Sequence, residues 1–137
     1  MEVQLIEDET NMDKTNILLV EDDKNMREAL YEILDSAGYA VTATSDGTEA
    51  LAHANGHLPH LVITDLVMPD KTGVEFIRSI RKSGGELSKV PILVLTGYDG
   101  MVVYGAKLAG ANKVLKKPND LEHLTEAITE LLQAAAV

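Results

Sequence analysis

A chain of 137 residues, 45% hydrophobic and 25% charged, is long enough to bury one core and too short for two. Its formal net charge of −10, from 22 acidic against 12 basic residues, opposes non-specific attraction to a nucleic-acid backbone or an anionic membrane. With no cysteine, disulfides, thiolate metal sites and cysteine nucleophiles are excluded, so any nucleophile is oxygen or nitrogen.

No apolar run approaches the ~20 residues that cross a bilayer, and the acidic N-terminus lacks the basic-then-apolar layout of a signal peptide. A cytoplasmic protein without direct nucleic-acid or membrane contact is expected. Residues 1–15 hold five acids and one lysine and read as an acidic tail, in which Val3 to Ile6 offers a short adherent stretch. Residues 16–134 form the domain, and 135–137 are its C-terminal end.

Asn16 to Val20 is an apolar run of strand length that closes on Glu21, Asp22 and Asp23, as a buried parallel strand does. Met26, Ala29, Leu30, Ile33, Leu34 and Ala37 recur at helical spacing, and Gly38 stops the helix. Tyr39 to Thr44 predicts a second strand, followed by Ser45-Asp46-Gly47 and a helix around Thr48 to Ala54. Leu61 to Thr64 predicts a third strand, closed by Asp65 and followed by the loop from Leu66 to Gly73. Val74, Phe76, Ile77 and Ile80 stripe a third helix, which Gly84 and Gly85 break. Val90 to Leu95 predicts a fourth strand ending in Thr96-Gly97, and Met101 to Ala109 a fourth helix stopped by Gly110. Its Met101, Val102, Val103 and Tyr104 exceed one apolar stripe; they read mainly as core, with a docking patch as the other reading. Lys113 to Lys116 predicts a fifth strand ending at Lys117-Pro118, and Leu121, Leu124, Ile128 and Leu131 a fifth helix. Alternating strands and helices of this kind predict an α/β fold, a doubly wound parallel sheet of five strands with five helices.

In such a sheet, ligands bind outside the carboxyl ends of the strands. The residues closing the strands are Glu21 and Asp22, Asp65, Thr96 and Lys117: three carboxylates, a hydroxyl and an ammonium. Each alone is an ordinary loop or cap residue; their placement on successive strand ends sets them apart. Converging carboxylates repel one another unless a cation neutralises them. Magnesium, with its preference for oxygen ligands and a phosphate oxygen, suits Asp22 and Asp65 directly and Glu21 through water. An aspartate is a competent nucleophile toward phosphorus, and Lys117 and Thr96 are placed to stabilise the transferring oxygens. His53, His57, His60 and His123 make no metal-ligand set and read as surface or loop residues.

The segments ILLVEDD (Ile17 to Asp23), SDGTEAL (Ser45 to Leu51), LVITDLVMPDKTG (Leu61 to Gly73), PILVLTG (Pro91 to Gly97) and KKP (Lys116 to Pro118) resemble, in order and spacing, bacterial response-regulator receiver domains of the CheY-like kind. The resemblance covers about Asn16 to Leu132. It implies strand order 2-1-3-4-5, Asp65 as phosphoacceptor, Asp22 as direct metal ligand and Glu21 as outer-shell acid. It further implies the Val67 backbone carbonyl as a ligand, Mg2+ or Mn2+ as the ion, Thr96 and Lys117 on the phosphoryl oxygens, and a cis Lys117-Pro118 peptide. The partners implied are a sensor histidine kinase or histidine phosphotransfer protein and an unknown downstream protein, with the chain a monomer or weak dimer.

Two positions depart from the pattern. Val114 stands where a switch tyrosine or phenylalanine is usual, and Asn119, expected to cap the last helix, where phenylalanine is common. Val67 and Tyr98 flank the phosphoryl site. Valine cannot orient a water, and the Tyr98 ring could restrict solvent, so slow self-hydrolysis of the phosphate is expected. The end of the fifth helix leaves no room for an effector domain, which reads as a stand-alone receiver signalling by protein contact rather than a turnover enzyme. A phosphatase using an aspartate nucleophile would want a second acid where Val67 stands. The alternative is a degenerate receiver that binds a partner without phosphorylation.

Overall fold

The computed structural model describes residues 14–68 and 70–136; the segment from Val3 to Ile6 lies outside them. Five parallel strands, β1 (Asn16–Val20), β2 (Ala40–Thr44), β3 (Leu61–Thr64), β4 (Ile92–Thr96) and β5 (Lys113–Lys116), form one sheet in the order β2-β1-β3-β4-β5. Helices α1 (Lys24–Ser36), α2 (Gly47–Gly56), α3 (Gly73–Lys82), α4 (Met101–Ala109) and α5 (Leu124–Ala136) connect and follow the strands.

Alternation along the strands divides the core in two, because successive side chains leave opposite faces of a strand. Leu18, Val20, Val62, Ile92 and Val94 pack with Ala50, Ala54, Phe76, Ile77, Ile80 and Ala106 of α2, α3 and α4. Ile17, Leu19, Leu61, Ile63, Leu93, Leu95 and Leu115 pack with Leu30, Leu34, Leu124, Ala127 and Ile128 of α1 and α5. Both faces of the sheet are covered, which is why its three central strands, β1, β3 and β4, read as near-continuous apolar runs.

The helices start where the sequence offers caps. Asp23 accepts from the Met26 N–H at 3.0 Å, Asp46 from the Glu49 N–H at 2.7 Å, and Thr72 from the Glu75 N–H at 3.2 Å, each satisfying a donor that the first turn leaves unpaired. β4 begins at Ile92 rather than Val90, since Pro91 has no N–H to give the ladder. The last helix is preceded by a 3-10 turn (Leu121–His123) whose cap position is Asp120, not Asn119; Asp120 turns its carboxylate back onto the Lys116 N–H at 2.9 Å.

α4 departs from expectation. Met101 is 80% exposed, Leu108 70% and Tyr104 57%, and only Ala106 of this helix is buried. The reading of Met101 to Tyr104 as mainly core is therefore corrected: the helix meets the core through its small residues Ala106 and Ala109, which turns Met101, Val102 and Tyr104 toward solvent. Arg81 ties the neighbouring ends together. From α3 its guanidinium donates to the carbonyls of Ser88, Val90 and Gly110 and to Asn112 Oδ1, at 2.6 to 3.1 Å. Desolvation pulls its pKa below the ordinary arginine value.

Candidate functional site

Glu21, Asp65 and Lys117 each stand one residue beyond a strand, and in each the backbone continues the sheet ladder by one bond. The Glu21 N–H donates to the Thr44 carbonyl at 3.0 Å, the Asp65 N–H to Val20 at 3.2 Å, and the Lys117 N–H to Thr96 at 2.8 Å. The sheet thereby fixes the backbone under all three side chains and brings them to one rim.

Their side chains meet there. The Lys117 ammonium pairs with Glu21 Oε1 and, at 3.1 Å, with Asp65 Oδ2. Asp65 Oδ1 accepts from the Leu66 N–H at 2.6 Å, and Glu21 Oε2 from the Asp23 N–H at 3.3 Å. Glu21 is 2% exposed. Its burial pushes the carboxyl above its ordinary range, against the opposing pull of Lys117. Burial alone would depress the Lys117 ammonium, but the hydrogen bond it donates to Glu21 and the charges of Asp65 and Glu21 outweigh it and hold the group above the ordinary lysine value.

Asp22 completes the group: carboxylate oxygens of Glu21, Asp22 and Asp65 lie within 4.8 Å of one another. Such a set of hard oxygen donors, carrying three acids against one ammonium, fits a hard divalent cation. The Arg27 guanidinium donates to the carbonyls of Glu21 and Asp22, at 2.9 and 3.3 Å, and so steadies the loop without neutralising its carboxylates.

Thr96 is buried at the end of β4. Its hydroxyl accepts from the Tyr98 N–H at 3.1 Å. The Lys117–Pro118 peptide is cis. Val67 and Tyr98 are half exposed at the rim, and Val114 is half-buried against the core beneath α2, α3 and α4. Of the histidines, His60 accepts from the Asn16 N–H through Nδ1 at 3.0 Å, and His53 stacks on His57.

The loop after Asp65 is held from below by a close backbone approach. A Cβ on Gly73 would meet the Asp65 carbonyl at 2.3 Å and Leu66 Cα at 2.6 Å, so only glycine fits; its N–H donates to the Leu66 carbonyl at 2.8 Å. Sequence reasoning missed two contacts here. Asp70 accepts from the N–H groups of Gly47 and Thr48, at 3.3 and 3.0 Å, and from the Thr48 hydroxyl, which hold its carboxyl down at about 2. Lys116 pairs with Asp99 of the loop between β4 and α4. Both join residues seventeen or more apart, and no local periodicity announces them.

Residues 17–129 match the family model described as "Response regulator receiver domain". Among similar curated proteins, the response regulator MprA of Mycobacterium sp. (strain KMS) is 41% identical over 118 residues, covering 85% of this chain and 50% of that protein. The chain thus spans about half the length of the curated relatives it matches. Among solved structures, the chemotaxis protein CheY4 of Vibrio cholerae is similar with a TM-score of 0.80 at 32% identity, covering 86% of this chain and 98% of that one. A CheY-like response regulator receiver domain protein from Methanospirillum hungatei gives 0.83 at 27% identity, covering 90% and 97%.

Proposed function

This chain belongs to the response-regulator receiver domain family, the phosphoacceptor module of two-component signalling, and from that premise we propose that Asp65 is the residue that accepts the phosphoryl group. The observation that carries the reading is the convergence of Asp65 with Lys117, Glu21 and Asp22 at one rim of the sheet. In the transfer, an Asp65 carboxylate oxygen bonds to phosphorus as the bond from phosphorus to the donor's histidine nitrogen breaks, and that nitrogen keeps the electron pair. The donor is a sensor histidine kinase or a histidine phosphotransfer protein.

Phosphoryl transfer rests on positioning and on neutralising charge at the equatorial oxygens. Lys117, already within 3.1 Å of Asp65, exchanges part of its carboxylate pairing for a phosphoryl oxygen, and the Thr96 hydroxyl donates to another. Asp22, Asp65 and the Val67 carbonyl would hold Mg2+ or Mn2+, with Glu21 acting through water; when bound, the ion offsets the charge of the acids and of the incoming phosphate. Val67 presents no polar group to a hydrolytic water, which supports a long-lived aspartyl-phosphate.

Output passes by protein contact from a cytoplasmic module that turns over no substrate, and the exposed apolar residues of α4 support this face as the point of contact. Incubation with acetyl phosphate and Mg2+ tests the reading. It predicts one acyl phosphate, labile to acid and to alkali and cleaved by hydroxylamine to a hydroxamate and inorganic phosphate; a protein that takes no phosphate under these conditions contradicts it.

A further inference from the structure

We propose that Asp70 is a positioning residue for the divalent cation: by clamping the loop after Asp65 onto the first turn of α2, it sets the Val67 carbonyl against the carboxylates. The inference rests on the preceding reading of Val67 as a ligand and deepens it. Val67 has no polar side-chain group to anchor it and is 47% exposed, so its backbone is placed by what fixes the loop on either side.

On one side the fixing is short and local. Leu66 is buried and receives Gly73 against its backbone, and its N–H is tied to Asp65 Oδ1. On the other side Met68 is buried, with its sulfur 3.9 Å from the Thr64 hydroxyl. Beyond it the loop reaches α2, where a Cβ on Gly47 would touch Met68 Cε at 3.3 Å and Lys71 Cβ at 3.4 Å. Asp70 secures that apposition with three hydrogen bonds into Gly47 and Thr48.

α2 does not need Asp70 to begin, because Asp46 already caps the Glu49 N–H. The second carboxylate at the same helix end therefore serves the loop more than the helix. A carboxylate on helix N–H groups is a strong, directional tie, and groups that orient a metal ligand from behind typically contribute about ten- to a hundredfold in affinity.

The test is Mg2+ affinity measured by calorimetry on the intact chain, alongside thermal unfolding without the ion. Asp70→Ala is expected to weaken Mg2+ about tenfold, Asp70→Asn less because it keeps an acceptor oxygen, and Thr48→Val to weaken it in the same direction from the other side of the clamp. Asp46→Ala removes a cap from the same helix without touching the loop, and is expected to lower thermal stability while leaving Mg2+ affinity unchanged. Equal affinity in Asp70→Ala and the parent overturns the proposal, as does an equal loss in Asp46→Ala, which would make the effect one of helix capping. A parent protein that binds no Mg2+ overturns both this proposal and the reading it rests on, whereas a parent that binds normally beside an unaffected Asp70→Ala overturns this proposal alone.

Discussion

Helices α3 and α4 follow the two loops that carry chemistry, and they are held in opposite ways. α3 begins with Thr72, whose hydroxyl accepts from the Glu75 N–H and donates to the Glu75 carboxylate, and it buries Gly73, Phe76, Ile77 and Ile80. α4 begins at Gly100 with no side-chain cap, carries Gly105 within it, and buries Ala106 alone. The loop behind Asp65 thus leads into a helix with a side-chain cap and four buried residues, while the loop behind Thr96 leads into one with no side-chain cap and a single buried residue. On the proposed reading, a shift of Thr96 toward a phosphoryl oxygen would be passed to α4, which follows Thr96 in the chain and is the less buried of the two helices.

Substitution separates the two helices most widely in stability. Phe76→Ala should destabilise the protein by about 3–5 kcal/mol through the cavity it opens, whereas Leu108→Ala on α4 should fall within about 0.5 kcal/mol of the parent. Denaturant unfolding measures both, and comparable losses would erase the contrast.

The rim stands with α3 on the more buried side. Lys117→Ala leaves Glu21 buried without its cation and should cost on the order of 3 kcal/mol near neutral pH. Because burial raises the Glu21 pKa, the folded state binds that proton more tightly than the unfolded chain. Its contribution therefore worsens as pH rises from about the ordinary glutamate value through the folded one. The deficit of the Lys117 variant should accordingly shrink on acidification, as unfolding curves across pH will register.

Arg81, which links the end of α3 to the end of α4 at the Gly110 carbonyl, should cost about 2 kcal/mol when replaced by alanine, since three part-buried carbonyls lose a donor. The smallest effect belongs to the clamp on α2. Asp70 is held at about 2, so its contribution is present above the ordinary aspartate value and is lost as pH falls toward 2. Asp70→Asn should flatten the acid limb of a stability profile in that window; an unchanged limb would count against the clamp.

Much of this was legible in the residues themselves. The strands show as short apolar runs closed by polar residues, and the same runs locate Glu21, Asp22, Asp65, Thr96 and Lys117 on one rim, because a parallel sheet puts all its carboxyl ends together. The exposure of α4 was not legible: Met101, Val102 and Tyr104 are apolar whether they face a core or solvent, and only the packing of α3 beside them decides. The Asp70 clamp was hidden for a different reason. Its partners Gly47 and Thr48 precede it by more than twenty residues, and an aspartate in a loop carries no signal of which helix end it will reach.

The measurement closest to the central claim is the location of the acyl phosphate after reaction with a small phosphodonor and Mg2+, by peptide mapping of the parent and of Asp65→Asn. Label on the peptide containing Asp65, and its loss in the variant with the fold intact, is the predicted result. Label that persists in Asp65→Asn, or that maps to Asp22 or Glu21 in the parent, would contradict the account.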